Sequence, residues 1–216
     1  MATNPSAKDK TYTKAELLEL RDKHIAPSLS VSYRSSNPLY IVKGCDQYLF
    51  DEMGIKYLDC RNNVSHIGHS HPAITNVVNK ELKILNTNTR YLHHNILLYA
   101  QKLTSKFSKN LNYCIFVNSG SEAGEVALRL AKSFTKKTDV ISVEHGYHGN
   151  TNALIDISTY KLVDQPSTPL KIPETTHILS IPDMYRGKHL NEPNGHKMSE
   201  NAVCEYYLNE LEQLIV

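Results

Sequence analysis

The stretch from Tyr113 to Glu144 constrains the fold more than any other part of the sequence. Tyr113, Cys114, Ile115, Phe116 and Val117 form an uninterrupted apolar run, the pattern of a strand buried on both faces. Asn118-Ser119-Gly120-Ser121-Glu122-Ala123 breaks it. Ala123, Val126, Ala127, Leu130, Ala131 and Phe134 then follow at alternating steps of three and one, which places them along one side of a helix. DVISVE at 139–144 returns to a short strand. Strand, helix and strand within about 30 residues make a βαβ unit, so the spacing predicts a parallel sheet with a right-handed crossover.

The flanking segments are read by the same rules. Thr13 precedes KAELLELRDKH, a capped helix that Pro27 and a serine-rich stretch end. LYIVKG, DQYLFDEMG and KYLDC predict a small antiparallel meander with turns at Gly44 and Gly54. Helical spacing recurs over 72–86 behind Pro72 and again over 95–108. Residues 151–157 read as a helix, 177–181 as a strand, and the segment between them as a Pro- and Thr-rich loop. SENAVCEYYLNELEQLIV is a helix that reaches the last residue with no glycine or polar stop, which we read as an interruption. The division expected is an N-terminal helix and meander over 1–70, followed over 71–216 by the first part of a large α/β domain.

Composition removes several function classes. The 24 basic and 22 acidic side chains leave a formal charge of +2, so no nucleic-acid partner is expected. No apolar run reaches the roughly 18 residues of a membrane span. Cys45, Cys60, Cys114 and Cys204 lie far apart with no CxxC pair, which predicts neither a disulfide framework nor a zinc knuckle. Asp9, Glu16 and Glu19 interrupt the basic N-terminus, so there is no clear presequence. His66, His69 and His71 match no zinc spacing; they read as a turn before Pro72 at the first helical position, and no metal site is predicted.

Two segments carry chemistry. The glycine turn at Ser119-Gly120-Ser121 would expose backbone N–H groups at a helix start, a cradle for phosphate; helix capping by Ser121 explains the same residues equally well. His145-Gly146-Tyr147-His148-Gly149 follows the next strand, at the carboxyl edge where open α/β sheets bind ligands. A tyrosine is more often a packing residue than a ligand platform, and only its position recommends Tyr147. The pair of strand ends predicts a flat phosphorylated ligand.

GCDQYLFDEMGIKYLDCRNNVSHIGHSHPAI, NSGSEA followed by ALRLA, and HGYHG together resemble the class III aminotransferases, in the order that family uses. The resemblance covers roughly 14–190. It implies the fold-type I architecture of enzymes dependent on pyridoxal 5'-phosphate, here the N-terminal segment and the first part of the large parallel-sheet domain. LRDKHIAPS, LNTNTRYLHHNI, ISTYK and PDMYRGKH resemble the phospho-lyase branch, which acts on ethanolamine phosphate or 5-phosphohydroxy-lysine. By resemblance Ser119, Gly120 and Ser121 hold the cofactor phosphate, Tyr147 stacks on its ring and His148 belongs to the same motif, while Arg90 and Arg186 meet a substrate phosphate. Homodimers or higher homo-oligomers and a mitochondrial location, with the cytoplasm as alternative, are implied too. Two positions depart from the family pattern: Gly124 stands where asparagine is usual, softening the first turn of its helix, and Arg61 stands where relatives are apolar.

The family's cofactor-bonding lysine and the acid at the pyridine nitrogen lie in downstream motifs that do not occur before Val216. No catalytic residue is therefore assigned, and the chain is read as an inactive fragment of an enzyme that eliminates phosphate and ammonia from a small phosphorylated amine. The alternatives are an alanine–glyoxylate-type transaminase acting on amino acids, and a silent short isoform that acts by association.

Overall fold

The computed structural model describes residues 12–160, 171–188, 190–191 and 197–215, and the chain divides into two compact units, Met1–His93 and His94–Val216. In the first, α1 (Lys14–His24) begins with a capping box: Thr13 Oγ1 accepts from Glu16 N, and the Glu16 carboxylate accepts from Thr13 N. Each partner satisfies a donor that a helix start would otherwise leave open. Three strands follow, β1 (Ile41–Cys45), β2 (Tyr48–Asp51) and β3 (Lys56–Leu58), paired antiparallel in that order. Gly54, at φ 80°, turns β2 into β3 as expected, and the buried Asp51 carboxylate fixes that turn. It accepts from Met53 N, Ile55 N and Tyr57 Oη at 3.0, 2.8 and 2.8 Å.

Gly44 does not turn the chain. It lies within β1 opposite Leu49, and the reversal falls at Asp46, φ 50°. The glycine is required by packing instead, because a Cβ there would stand 2.7 Å from the His69 ring. Asp46 and His69 also exchange backbone hydrogen bonds at 3.2 and 2.7 Å, and His69 Nε2 meets Asp59 at 2.7 Å. These contacts bind the segment before Pro72 to the meander. Helix α2 (Pro72–Leu82), capped by His71, lies within the unit Met1–His93. It also stops short of the expected residue 86.

The second unit holds α3 (His94–Thr104), α4 (Gly120–Thr135), β4 (Val140–Val143), α5 (Asn152–Ile155), β5 (Thr176–Leu179) and α6 (Glu200–Ile215). β4 and β5 pair in parallel, Val140 with Thr176 through Val143 with Leu179, so the sheet is parallel as expected, although its pair is not the one that the βαβ reading of 113–144 named. The run 113–117 departs from it. These residues join no ladder among the described residues, and Tyr113 is 92% exposed. An apolar run encodes a need for burial but not the neighbour that supplies it, and no described strand flanks this one. Phe116 stacks on Tyr99 with centroids 5.3 Å apart. Among the described residues of this unit the buried apolar side chains are Leu154, Ile157, Val203 and Tyr207, so its core sits around the segment after β4 and beneath α6. No described helix is long and apolar enough to cross a membrane. Part of the Pro- and Thr-rich loop and Lys161 of ISTYK, like His189 of PDMYRGKH and the N-terminal basic run, lie outside the described residues.

Candidate functional site

Helix α4 begins where Ser119, in extended conformation, lets its Oγ accept from Glu122 N at 3.1 Å. The Glu122 carboxylate in turn accepts from Asn118 N at 2.5 Å. Ser119 is thus the cap, a role the sequence had left open for Ser121. The Ser121 hydroxyl is released for other work: its Oγ accepts from Asn150 N at 3.1 Å and keeps its own proton to donate. The N–H groups of Gly120 and Ser121 have no acceptor among the described residues. They sit at the positive end of a sixteen-residue helix, where orphan donors and the helix dipole both favour an anion. A Cβ on Gly120 would meet nothing within 4 Å, so open space adjoins these donors.

The turn after β4 closes against this helix start. Gly149 adopts φ 147°, and a Cβ on it would fall 2.7 Å from Ser121 Oγ and 2.6 Å from Leu154 Cδ1. Only glycine takes both that conformation and that approach. Gly124 faces the same leucine, with its absent Cβ 2.8 Å from Leu154 Cδ1. The helix runs through it unbroken to Thr135, so the first turn is intact, and the glycine is explained by contact. The side chain at the other departure, Arg61, is not explained by anything in the structure.

Tyr147, 63% exposed, lies at the crest of the 145–149 turn, edge-on to Tyr160 at 6.0 Å. His145, two residues before it, holds φ 61°, a region few non-glycine residues occupy. His148 Nε2 meets Ser142 Oγ at 3.1 Å. The structure therefore brings Ser121, which follows Ser119 and Gly120 at the helix start, against Gly149 and Asn150 of the turn that carries Tyr147 and His148, at the carboxyl end of β4. Its donor set suits a phosphate ester: two free amides, one hydroxyl and a helix dipole.

Arg90 and Arg186 belong to different units and are both exposed. The Arg186 guanidinium lies 5.5 Å from the Tyr185 ring, in a turn that Asp183 organises by accepting from Tyr185 N and Arg186 N. The N–H groups of Arg186 and then Tyr185 hold the Asp183 carboxyl below its ordinary range. Lys188 ties the turn to β4 through Glu144, 3.1 Å away. No group of described residues has the makings of a metal site. Sequence reasoning missed Ser142, Asn150, Ser158 and Thr159. Their only signal is a Ser-Thr pair between Ile157 and Tyr160, which does not differ from ordinary loop composition.

The family model described as aminotransferase class-III matches residues 30–215. The chain is 46% identical over 176 residues to an alanine–glyoxylate aminotransferase 2-like protein of Drosophila melanogaster, covering 82% of this chain and 35% of that one. It is 37% identical over 177 residues to ethanolamine-phosphate phospho-lyase homolog 1 of Caenorhabditis elegans, covering 82% and 37%. Among solved structures it resembles a phospholyase from Arthrobacter in complex with phosphoethanolamine, with a TM-score of 0.76 and 33% identity over 91% of this chain and 43% of that one. The chain thus spans little more than a third of the curated relatives' length.

Proposed function

The chain belongs to the aminotransferase class-III family, and on that premise we propose that Gly120, Ser121 and the Tyr147 turn hold pyridoxal 5'-phosphate in an enzyme that eliminates phosphate and ammonia from a small phosphorylated amine. One observation carries the cofactor reading: two unbonded amides beside open space at the start of α4, joined by Ser121 to the turn that presents Tyr147. Bound there, pyridoxal phosphate supplies an electron sink for the carbon that bears the amine. The chain's own residues bind and orient. Gly120 N, Ser121 N and Ser121 Oγ donate to phosphate oxygens, Ser119 and Glu122 keep the helix start fixed, and Tyr147 covers one face of the ring.

The phospho-lyase assignment rests on the resemblance of the segments around Arg90 and Arg186, whose forked guanidinium groups suit a substrate phosphate. Full-length protein should release phosphate from ethanolamine phosphate faster than it forms pyruvate from alanine and glyoxylate. Arg90→Ala or Arg186→Ala should lower phosphate release by roughly tenfold or more, since charge-assisted hydrogen bonds are worth about 1.5–3 kcal/mol. Pyruvate without phosphate moves the protein to the transaminases. The 216-residue chain, which lacks the family's lysine motif, should bind the cofactor without turnover. Borohydride treatment with the cofactor present should fix no stoichiometric label on a single lysine, and one such adduct would contradict this part of the proposal.

A further inference from the structure

Beneath the Tyr147 turn lies a set of buried hydroxyls that the cofactor reading does not use. Ser142 in β4, Ser158 and Thr159 are 3%, 7% and 1% exposed. Thr159 Oγ1 accepts from Gly146 N at 3.1 Å and donates to Val143 O at 3.2 Å. Ser158 Oγ accepts from His148 N at 3.0 Å and donates to Leu154 O at 2.6 Å. Tyr160 N donates to Gly146 O at 3.1 Å. The residues on either side of Tyr147 are thus each held through their backbone amide by one of two adjacent hydroxyls.

Ser142 completes the arrangement. Its one proton goes to Ile157 O at 2.6 Å, so its 3.1 Å contact with His148 Nε2 requires the imidazole to donate. His148 Nε2 is therefore the donor in that contact.

We propose that Ser158 and Thr159 are positioning residues that fix the angle of the Tyr147 ring toward the cofactor. The inference rests on the reading that pyridoxal phosphate sits at Gly120 and Ser121. Buried Ser and Thr hydroxyls more often serve packing alone. Here, however, the two bonds flank a single exposed aromatic residue, beside a backbone at φ 61° that needs outside support to persist. The segment 157–160 clamps the turn through its backbone while the Tyr147 side chain stays exposed.

The test compares Thr159→Val, which keeps the shape and removes both hydroxyl bonds, with Thr159→Ser, which restores them, and with Tyr147→Ala. Two quantities are read on the whole 216-residue chain: amide exchange at Gly146 and His148, and pyridoxal phosphate affinity with the induced circular dichroism of its absorption band. Thr159→Val should speed exchange at Gly146 and weaken cofactor binding, each by about fivefold, with loss of the dichroic signal; Thr159→Ser should restore both. Tyr147→Ala should weaken binding by a similar factor without altering exchange at Gly146. If Tyr147→Ala weakens binding while Thr159→Val leaves it unchanged, the clamp is refuted and the cofactor reading stands. Equal losses in Thr159→Val and Thr159→Ser reduce the hydroxyl to packing and also refute it. No saturable binding by the wild-type chain, or none of it sensitive to Tyr147→Ala, overturns the cofactor reading and the clamp with it.

Discussion

At the scale of single residues, Gly124 shows how a departure from family pattern can be local compensation. Glycine inside a helix is disfavoured by about 1 kcal/mol relative to alanine, so on propensity alone Gly124→Ala should stabilise. The added Cβ, however, would stand 2.8 and 3.0 Å from the two methyl carbons of Leu154, which is 1% exposed and cannot swing into solvent. Overpacking of that kind is worth about 1–3 kcal/mol. The clash outweighs the propensity, and Gly124→Ala should lower stability by roughly 1 kcal/mol in chemical denaturation. A stabilised variant would mean that Leu154 yields more easily than its burial indicates. Gly120 is the opposite case. Its missing side chain faces space rather than atoms, so Gly120→Val should alter stability by no more than about 1 kcal/mol while filling the volume assigned to phosphate.

At the scale of elements, the meander and its following turn depend on ionised carboxylates. Burial opposes ionisation of Asp51, but hydrogen bonds from Tyr57 Oη and from Ile55 and Met53 N–H outweigh it, and its pKa is lowered. The Asp59 carboxyl is held well below the usual range, chiefly by Asn62 N–H, then by the Asn62 side chain, Arg61 N–H and His69. A carboxylate whose folded pKa lies below its unfolded value contributes stability above the unfolded pKa, near 3.9. That contribution is lost as pH falls toward the folded value. The first unit should therefore loosen on acidification below about pH 4, and Asp51→Asn with Asp59→Asn should flatten the dependence. Amide exchange across β1–β3 measured down to about pH 2 checks this, and a protection pattern indifferent to pH would contradict it. These same elements were the most readable in sequence. Thr13 announces α1, Gly54 announces a turn, and alternation announces the meander. Harder to read were features set by contact between distant residues. Gly44 looked like a turn because the His69 ring that needs its place is twenty-five positions away. Ser119 and Ser121 compete for one cap, and only the reach of Glu122 to Asn118 decides between them. The run 113–117 states that a strand wants burial but not which strand provides it.

At the scale of the whole molecule, apolar side chains outnumber the cover the described residues give them. Among the described residues, Pro38 is the one buried apolar side chain of the first unit, and the second buries Leu154, Ile157, Val203 and Tyr207. Exposed apolar surface concentrates on α2 (Ile74, Val77, Val78, Leu82), on α3 (Leu97, Leu98, Tyr99) and at Tyr113 and Ile115. Surfaces of this kind associate in water. The 216-residue chain alone should bind a hydrophobic dye and sediment as concentration-dependent assemblies, whereas a dye-silent monomer would contradict that expectation. The sequence family and the strands near 140 and 177 were legible because motif order and periodicity are local properties. The clamp under Tyr147 was not, since Ser158 and Thr159 take meaning only from the amides of His148 and Gly146, ten and thirteen residues away. The central claim is that the start of α4 holds the phosphate of pyridoxal phosphate, and a binding comparison tests it most directly. Equilibrium dialysis of the wild-type chain and of Gly120→Val is carried out with pyridoxal phosphate and with pyridoxal. The account predicts wild-type binding that depends on the phosphate and a drop of about tenfold or more in Gly120→Val at nearly unchanged stability. Equal affinity of the wild-type chain for the two ligands, or of the two proteins for pyridoxal phosphate, would contradict it.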